Sequence, residues 1–240
     1  MCFFVSLASP KKAIEDYLHL TYNSSEEFVP SYYFSGFDHP YLPVLAQSDP
    51  DRLQMMSWGL VPAWAQDEET ASSIRNKTLN ARMETVQQKV SFRKAVSTQR
   101  CLIPINGFFE WQSRKNRKYP YYIYMEDRPI FCLAGIFDCW VYPGSEEILM
   151  SFSILTREAN PFMAEIHNTS KRMPAILDQK QESVWIDTLN SEERVLFELG
   201  HFSGDKLKAH TISPLINRKG VNRNTVKIIE PFYWEPGSLF

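Results

Sequence analysis

The feature that most constrains the fold is a succession of strand-like segments through the middle of the chain. Residues 100–156 contain four segments dense in aromatic and β-branched residues, RCLIPINGFFEWQ, YPYYIYM, PIFCLAGIFDCWV and ILMSFSILT. Turn residues separate them, and connections this short favour antiparallel pairing over the helical crossovers that parallel strands need. We therefore predict an α+β fold, a single domain over residues 1–240, with a largely antiparallel, barrel-like β core flanked by helices.

Helices are predicted on both sides of this core. PKKAIEDYLHL, ESVWIDTL and SEERVLFELG space their apolar residues at helical intervals, and a further helix is expected in ETVQQKVSFRKAV. NPFMAEIH is predicted to be a short helix that Asn160 caps, with Phe162, Met163 and Ile166 facing inward.

The segments between the early helix and the core are predicted to be less regular. The chain up to about residue 52 is rich in Pro, Ser, Tyr and Asp and is expected to be irregular. LQMMSWGLVPAW is predicted as a strand that ends at Pro62. In LNARMET, apolar and polar residues alternate, so an extended segment would place Asn80, Arg82 and Glu84 on one polar face.

Composition and charge exclude several classes of protein. No apolar run approaches the roughly 20 residues that span a bilayer, and no secretory signal is expected. Four cysteines in 240 residues do not form a disulfide framework, which favours a reducing, cytoplasmic setting. Neither the cysteines nor the five histidines have metal-ligand spacing, so neither a metal nor another cofactor is expected. With a net charge of −2, a nucleic-acid site would have to be a local basic patch.

Four polar residues among apolar ones are candidates for chemistry, and each has a structural alternative. Cys2 either begins an edge strand in CFFVSL or becomes the N-terminus after removal of Met1. Glu110 in GFFEW is either an acid/base with a raised pKa or a strand carboxylate paired with a cation. His167 is either a catalytic group or a residue that the C-terminus of a helix favours. Asn80 is either a site residue or a turn former.

Six motifs in order suggest a family. The initial MC, WGLVPAW, LNARMET, RCLIPINGFFEW, AGIFD and IHNTSKRMPAIL together resemble the SOS response-associated peptidase (SRAP) family of abasic-site processing proteins. The resemblance implies a sensor of abasic sites in single-stranded DNA. After removal of Met1, the amine and thiol of Cys2 would form a thiazolidine crosslink with the opened sugar, with lyase and self-processing activities also implied. The chemistry is reasonable because an α-amine has a pKa of about 7.7–8.0, against about 10.4 for lysine, so far more of it is neutral and nucleophilic at pH 7–8.

The resemblance also implies roles for individual residues. Asn80 would orient the N-terminus or the sugar, Glu110 would act as general acid/base, and His167 would move a proton at the sugar oxygen. The residues implied to contact DNA are Arg82, Arg172, Trp58 and Pro62. The expected partner is therefore single-stranded DNA with an abasic site, bound by a cytoplasmic monomer that associates with the nucleoid when on DNA.

Two departures from the family pattern affect these expectations. Phe3 and Phe4 stand where many members have a small and a basic residue, and extra residues separate His167 from Arg172. Two other functions stay open. One is a peptidase that uses Cys2 as N-terminal nucleophile, and the other is a noncatalytic module that binds single strands. The basic run SRKNRKYP is interpreted as a solvated hairpin turn.

Overall fold

The computed structural model describes residues 2–20, 27–115, 117–200, 202 and 204–234, and in this part of the chain we find twelve β-strands and six α-helices. The strands are β1 (Phe4–Leu7), β2 (Ser31–Ser35), β3 (Tyr41–Ala46), β4 (Leu53–Trp58), β5 (Asn80–Arg82), β6 (Arg100–Ile105), β7 (Gly107–Arg114), β8 (Arg117–Met125), β9 (Phe131–Val141), β10 (Ile148–Glu158), β11 (Arg172–Pro174) and β12 (Leu207–Thr211). The helices are α1 (Lys11–Leu18), α2 (Glu68–Arg75), α3 (Arg93–Thr98), α4 (Pro161–Ile166), α5 (Gln179–Ile186) and α6 (Glu192–Leu199).

Five strands close into a barrel. Their order is β10-β4-β3-β6-β9, and β9 pairs with β10 to complete the ring. All of these pairs are antiparallel except that of β10 with β4. The interior is filled by large apolar side chains such as Trp58, Phe131 and Phe152. The predicted α+β class, with a largely antiparallel and barrel-like core, is confirmed.

A second sheet has the order β12-β8-β7-β1-β2, and every pair in it is antiparallel. The chain passes from the barrel into this sheet at Asn106, which separates β6 from β7. The Asn106 side chain accepts hydrogen bonds from the backbone N–H groups of Ala8 and Ser9 and donates to Ser9 and to the carbonyl of Pro129. The strand-like segment RCLIPINGFFEWQ therefore forms two strands, and each belongs to a different sheet.

The N-terminal strand lies inside the second sheet. β1 pairs with β2 on one side and with β7 on the other, so the expectation of an edge strand is wrong. Pairing with β7 places Val5 opposite Phe108, two residues from Glu110. Cys2 is therefore brought to the middle of β7 by backbone hydrogen bonding.

Local signals predicted the helices well. Asn160 caps α4 by accepting a hydrogen bond from the N–H of Met163, and Ser191 caps α6 in the same way through Arg194. Met163 and Ile166 are buried as expected, whereas Phe162 is 36% exposed and does not face the core. In ETVQQKVSFRKAV only the C-terminal end is α-helical, within α3.

Two predictions for the segment before the core are wrong. The segment expected to be irregular contains β2 and β3, in which tyrosines and aliphatic residues pair with β1 and β4. The strand expected to end at Pro62 ends at Trp58, because Gly59 adopts a φ of 113°, which a side chain would disfavour. No helix among the described residues has the length and apolar character to cross a bilayer.

Candidate active site

Glu110 and His167 form a close pair at the boundary of the second sheet. Glu110 lies in the middle of β7, opposite Tyr121 of β8, and is 4% exposed. His167 follows α4 and is 8% exposed. Its Nδ1 atom is 3.7 Å from Oε1 of Glu110 and 2.8 Å from the carbonyl oxygen of Arg172. Because a carbonyl oxygen only accepts hydrogen bonds, Nδ1 carries a proton and the neutral ring has its basic lone pair on Nε2.

Burial sets the protonation of this pair. It raises the pKa of the Glu110 carboxyl to about 7, because the charged form loses its hydration on burial. Burial also lowers the pKa of His167, and the hydrogen bond to the Arg172 carbonyl opposes this only in part. Near neutral pH the pair is therefore a carboxyl close to its midpoint beside a neutral imidazole. Such a pair can both give and accept a proton.

Cys2 lies beside Glu110 but is completely buried. Burial raises the pKa of its thiol far above the usual range, and the negative charge of Glu110 raises it further, while the backbone N–H of Phe4 acts in the opposite direction. The sulfur is consequently a protonated thiol and not a thiolate. The pairing of β1 with β7, which sets Val5 opposite Phe108, brings the start of the chain alongside Glu110.

Asn80 begins β5, a short strand that joins the barrel at β10. β5 pairs with residues Ile154–Thr156 of β10, and β11 pairs with the other edge of β10 at Thr156–Glu158. The indole N–H of Trp58 donates to the carbonyl of Leu79 and so fixes the start of β5. Both polar atoms of the Asn80 amide are buried and have no hydrogen-bond partner among the described residues.

A cavity of about 460 Å³ opens onto Glu110 and His167. Its remaining wall combines the N-terminal strand, the β7–β8 hairpin, the loop after α4 and the C-terminal region: Phe3, Phe4, Trp111, Ser113, Lys118, Thr169, Ser170 and Asn217. The two departures from the family pattern, Phe3-Phe4 and the loop after His167, therefore both form part of this wall. Cys2 and Asn80 are not on its surface.

The loop between His167 and Arg172 is tied to β7. The Asn168 amide accepts a hydrogen bond from the N–H of Ser113 at 3.0 Å and donates to the Ser113 carbonyl at 2.8 Å. Gln112 in turn donates to the carbonyl of Glu165 at the end of α4. These contacts hold His167 opposite Glu110 even though the two residues come from different layers of the fold.

The four residues implied to contact DNA have different environments. Arg82 is exposed at the end of β5. Arg172 donates to Glu84 at 2.6 Å and to the carbonyl of Thr156 at 2.7 Å, so its guanidinium is committed to the protein and its role at a phosphate stays a prediction. Trp58 and Pro62 are buried, and their role at a bound strand stays a prediction. Trp58 packs against Gly36 and stacks on Phe152 in the barrel core.

Trp111 was not among the site residues predicted from the sequence. It lines the cavity, donates its indole N–H to the Asn217 side chain at 3.0 Å and meets the ring of Phe4 edge-on at 5.2 Å. A half-buried aromatic residue next to a buried carboxylate is the signal that could have identified it. In the described part of the chain, no group of three His, Cys, Asp or Glu residues is placed to hold a metal ion.

Comparison with known proteins gives a consistent result. A family model described as SOS response associated peptidase (SRAP) matches residues 1–219. The abasic site processing protein YoqW of Bacillus subtilis is 32% identical over 206 residues, which cover 85% of this chain and 87% of that protein. The abasic site processing protein HMCES of Mus musculus is 31% identical over 204 residues, which cover 73% of this chain and 56% of that protein.

Solved structures show the same fold. A crystal structure of a protein from Bacteroides thetaiotaomicron superposes with a TM-score of 0.90 at 33% sequence identity, covering 97% of this chain and all of the other. A second one, from Bordetella bronchiseptica, has a TM-score of 0.75 at 22% identity and covers 88% of this chain. The arrangement of barrel and second sheet is therefore shared with experimentally determined structures.

Proposed function

This chain belongs to the SOS response-associated peptidase family, and on that basis we propose that it processes abasic sites in single-stranded DNA through a covalent crosslink to Cys2. The observation that carries the proposal is the pair of Glu110 and His167, with a carboxyl pKa of about 7, between the buried Cys2 and an open cavity. The protein would act as a cytoplasmic monomer at exposed single strands of the nucleoid.

The first step is opening of the abasic sugar to its aldehyde. The closed sugar is a hemiacetal, so a proton must leave the C1′ hydroxyl while another reaches the ring oxygen. Nε2 of neutral His167 accepts the first proton, and the protonated carboxyl of Glu110 supplies the second. His167 then releases the proton on Nε2 to solvent, and Glu110, whose pKa is about 7, takes up a proton from solvent, so that the pair regains its starting state.

The second step is imine formation by the N-terminal amine. Removal of Met1 makes Cys2 the first residue, and its α-amine has an ordinary pKa of about 7.7–8.0 against about 10.4 for lysine. The neutral amine adds to C1′. The hydroxyl of this adduct then leaves as water, with Glu110 donating the proton that it needs.

The third step is ring closure by the thiol. The sulfur adds to the same carbon, and the thiol proton passes through Glu110 to the imine nitrogen, which gives a thiazolidine. Aldehyde and aminothiol together have then lost one water. The raised pKa of the Cys2 thiol supports this order, because a protonated thiol is a poor first nucleophile but carries the proton that closure transfers. If Glu110 instead removes a C2′ proton from the imine, strand cleavage by β-elimination results, which is the lyase branch.

The raised pKa of the Cys2 thiol also disfavours a peptidase. Attack on a peptide carbonyl requires a thiolate, whereas burial and Glu110 both keep the Cys2 thiol protonated. Self-processing of a chain extended before Cys2 is the form of peptidase activity that stays open. It would depend on Glu110 and would need no added aminopeptidase.

The test is incubation of Met1-processed protein with a single-stranded oligonucleotide that carries one abasic site, followed by a denaturing gel and intact-mass measurement. We expect a shifted band whose mass is the sum of the two components less one water. Cys2→Ala should give no stable adduct. Cys2→Ser keeps the amine but not the sulfur, so its adduct should appear only after reduction of the imine with borohydride.

Two results would refute the proposal: no shifted band with the wild-type protein, or a Cys2→Ala band as strong as the wild-type band. The matched substrate control is the same oligonucleotide without the lesion. If binding is salt-dependent but indifferent to the abasic site and to Cys2, the protein is a noncatalytic single-strand-binding module.

A further inference from the structure

A second cavity lies next to the active-site cavity and shares Lys118 with it. It has a volume of about 500 Å³ and is formed where the β7–β8 hairpin meets the C-terminal region. The side chains that define it are Arg117, Lys118, Tyr119, Arg218, Phe232 and Trp234. We call it the basic-aromatic groove. Lys118 lines both cavities, so the two are neighbours on the surface.

The groove is positively charged in a protein of net negative charge. Three cationic side chains line it, and its described lining contains no carboxylate. Arg114 adds a further cation at its border and lies over the ring of Tyr119 at 6.0 Å. The whole molecule has a net charge of −2, so this concentration of cations is local. A polyanion is the ligand that such a surface attracts.

The aromatic side of the groove is fixed in position. The rings of Tyr119 and Trp234 meet edge-to-face at 4.9 Å, and Phe232 meets Trp234 at 5.5 Å. The backbone of Phe232 is held by β12, since its N–H donates to the carbonyl of Thr211 and its carbonyl accepts from the Thr211 hydroxyl. Phe232 is still 40% exposed, and the buried Trp234 indole N–H has no partner among the described residues.

We propose that the basic-aromatic groove binds the single-stranded nucleotides on one side of the abasic site, which deepens the proposed function and rests on it. Bases stack on the aromatic residues, and phosphates pair with Arg117, Lys118 and Arg218. Rings of this kind stack on unpaired bases of any sequence, whereas paired bases are already stacked on each other. Phe232 and Trp234 lie beyond residues 1–219, so the family match does not account for this part of the groove.

The first experiment measures binding without the chemistry of Cys2. Fluorescence anisotropy with an undamaged, labelled single-stranded oligonucleotide gives the affinity of wild type, Trp234→Ala and Arg218→Gln. We expect Trp234→Ala to weaken binding about tenfold, which is within the range measured for one stacked base. Arg218→Gln should make the negative slope of log affinity against log salt concentration shallower by about 0.7, because one phosphate contact is lost. Trp234→Phe keeps an aromatic face and should restore most of the affinity.

The matched controls are Tyr233→Ala and Lys94→Gln. Tyr233 is an aromatic neighbour, 88% exposed, that does not line the groove, and Lys94 is an exposed cation on α3. Both should bind like wild type. Thermal unfolding of each variant separates loss of binding from loss of the fold.

The second experiment tests which flank the groove holds. Crosslinking rates are compared for abasic oligonucleotides that extend only in the 5′ direction, only in the 3′ direction, or in neither. We expect one flank to accelerate wild type, and Trp234→Ala to lose most of that acceleration. If wild type crosslinks but the groove variants match it with every flank and in anisotropy, the groove proposal is wrong. If wild type binds the undamaged strand and never crosslinks, the proposed function fails instead.

Discussion

The buried amide of Asn80 carries an energetic cost in the folded protein. Its amide is buried, yet neither the nitrogen nor the oxygen has a hydrogen-bond partner among the described residues. An unsatisfied buried polar group costs about 1–3 kcal/mol. A ligand that hydrogen-bonds to this amide would recover the loss, which is consistent with a role in orienting the amine of Cys2 or the opened sugar.

We therefore predict that Asn80→Leu separates stability from activity. The apolar residue removes the unsatisfied amide, so the free energy of unfolding should stay equal or rise by about 1 kcal/mol, while the crosslinking rate should fall about tenfold. Urea unfolding and crosslinking rates provide the two measurements. The matched control is Asn106→Leu, which breaks four hydrogen bonds and should lower the free energy of unfolding by about 2 kcal/mol or more. A destabilised Asn80→Leu would contradict this interpretation.

At the level of elements, long-range pairing builds the site. The capping residues Asn160 and Ser191 and the apolar spacing that follows them are local sequence signals. These signals predicted α4 and α6 from the sequence alone. The position of β1 between β2 and β7 depends on partners about 30 and 100 residues away, and no local pattern specifies it. The same holds for the break at Asn106, whose side chain is satisfied by residues from two distant segments. The sequence therefore indicated Glu110 and His167 as candidates, but not that they face each other.

The loop after α4 is the element that sets this geometry. Asn168 makes two hydrogen bonds to the backbone of Ser113, as a neighbouring strand would. The extra residues that weakened the alignment of Arg172 with the family pattern thus have a structural role. They attach the histidine loop to the strand that carries Glu110.

We predict that Asn168→Ala loosens this attachment. Losing two partly exposed hydrogen bonds should lower the free energy of unfolding by about 1 kcal/mol. Crosslinking should slow by more than this loss of stability explains, because His167 no longer stays opposite Glu110. Hydrogen exchange should show faster exchange in residues 167–171. Asn76→Ala, at the exposed C-terminus of α2, is the control and should change neither rate. Crosslinking at the wild-type rate would show that the attachment is not needed for activity.

Taken as a whole, the molecule places its candidate site where the barrel and the second sheet meet. Cys2 and Glu110 come from the second sheet, Asn80 comes from a strand paired with the barrel, and His167 follows the helix after β10.

Reaction requires two groups in opposite protonation states. The α-amine must be neutral, which favours pH above about 8, and Glu110 must be protonated, which favours pH below about 7.

These two requirements predict a bell-shaped dependence of crosslinking rate on pH, with its maximum between about 7 and 8. Below the maximum, the rate should fall about tenfold per pH unit as the amine gains a proton. Above it, the rate should fall similarly, because the raised pKa of Glu110 means that its acid form is lost as pH rises through about 7. Glu110→Gln should be about 100-fold slower at pH 7 and should lack the alkaline decline, since glutamine does not titrate. The measurement is the initial crosslinking rate of both proteins from pH 5 to pH 9. If the alkaline decline persists in Glu110→Gln, a group other than Glu110 causes it. If the wild-type rate rises toward pH 5, attack by the neutral amine is not the rate-limiting step.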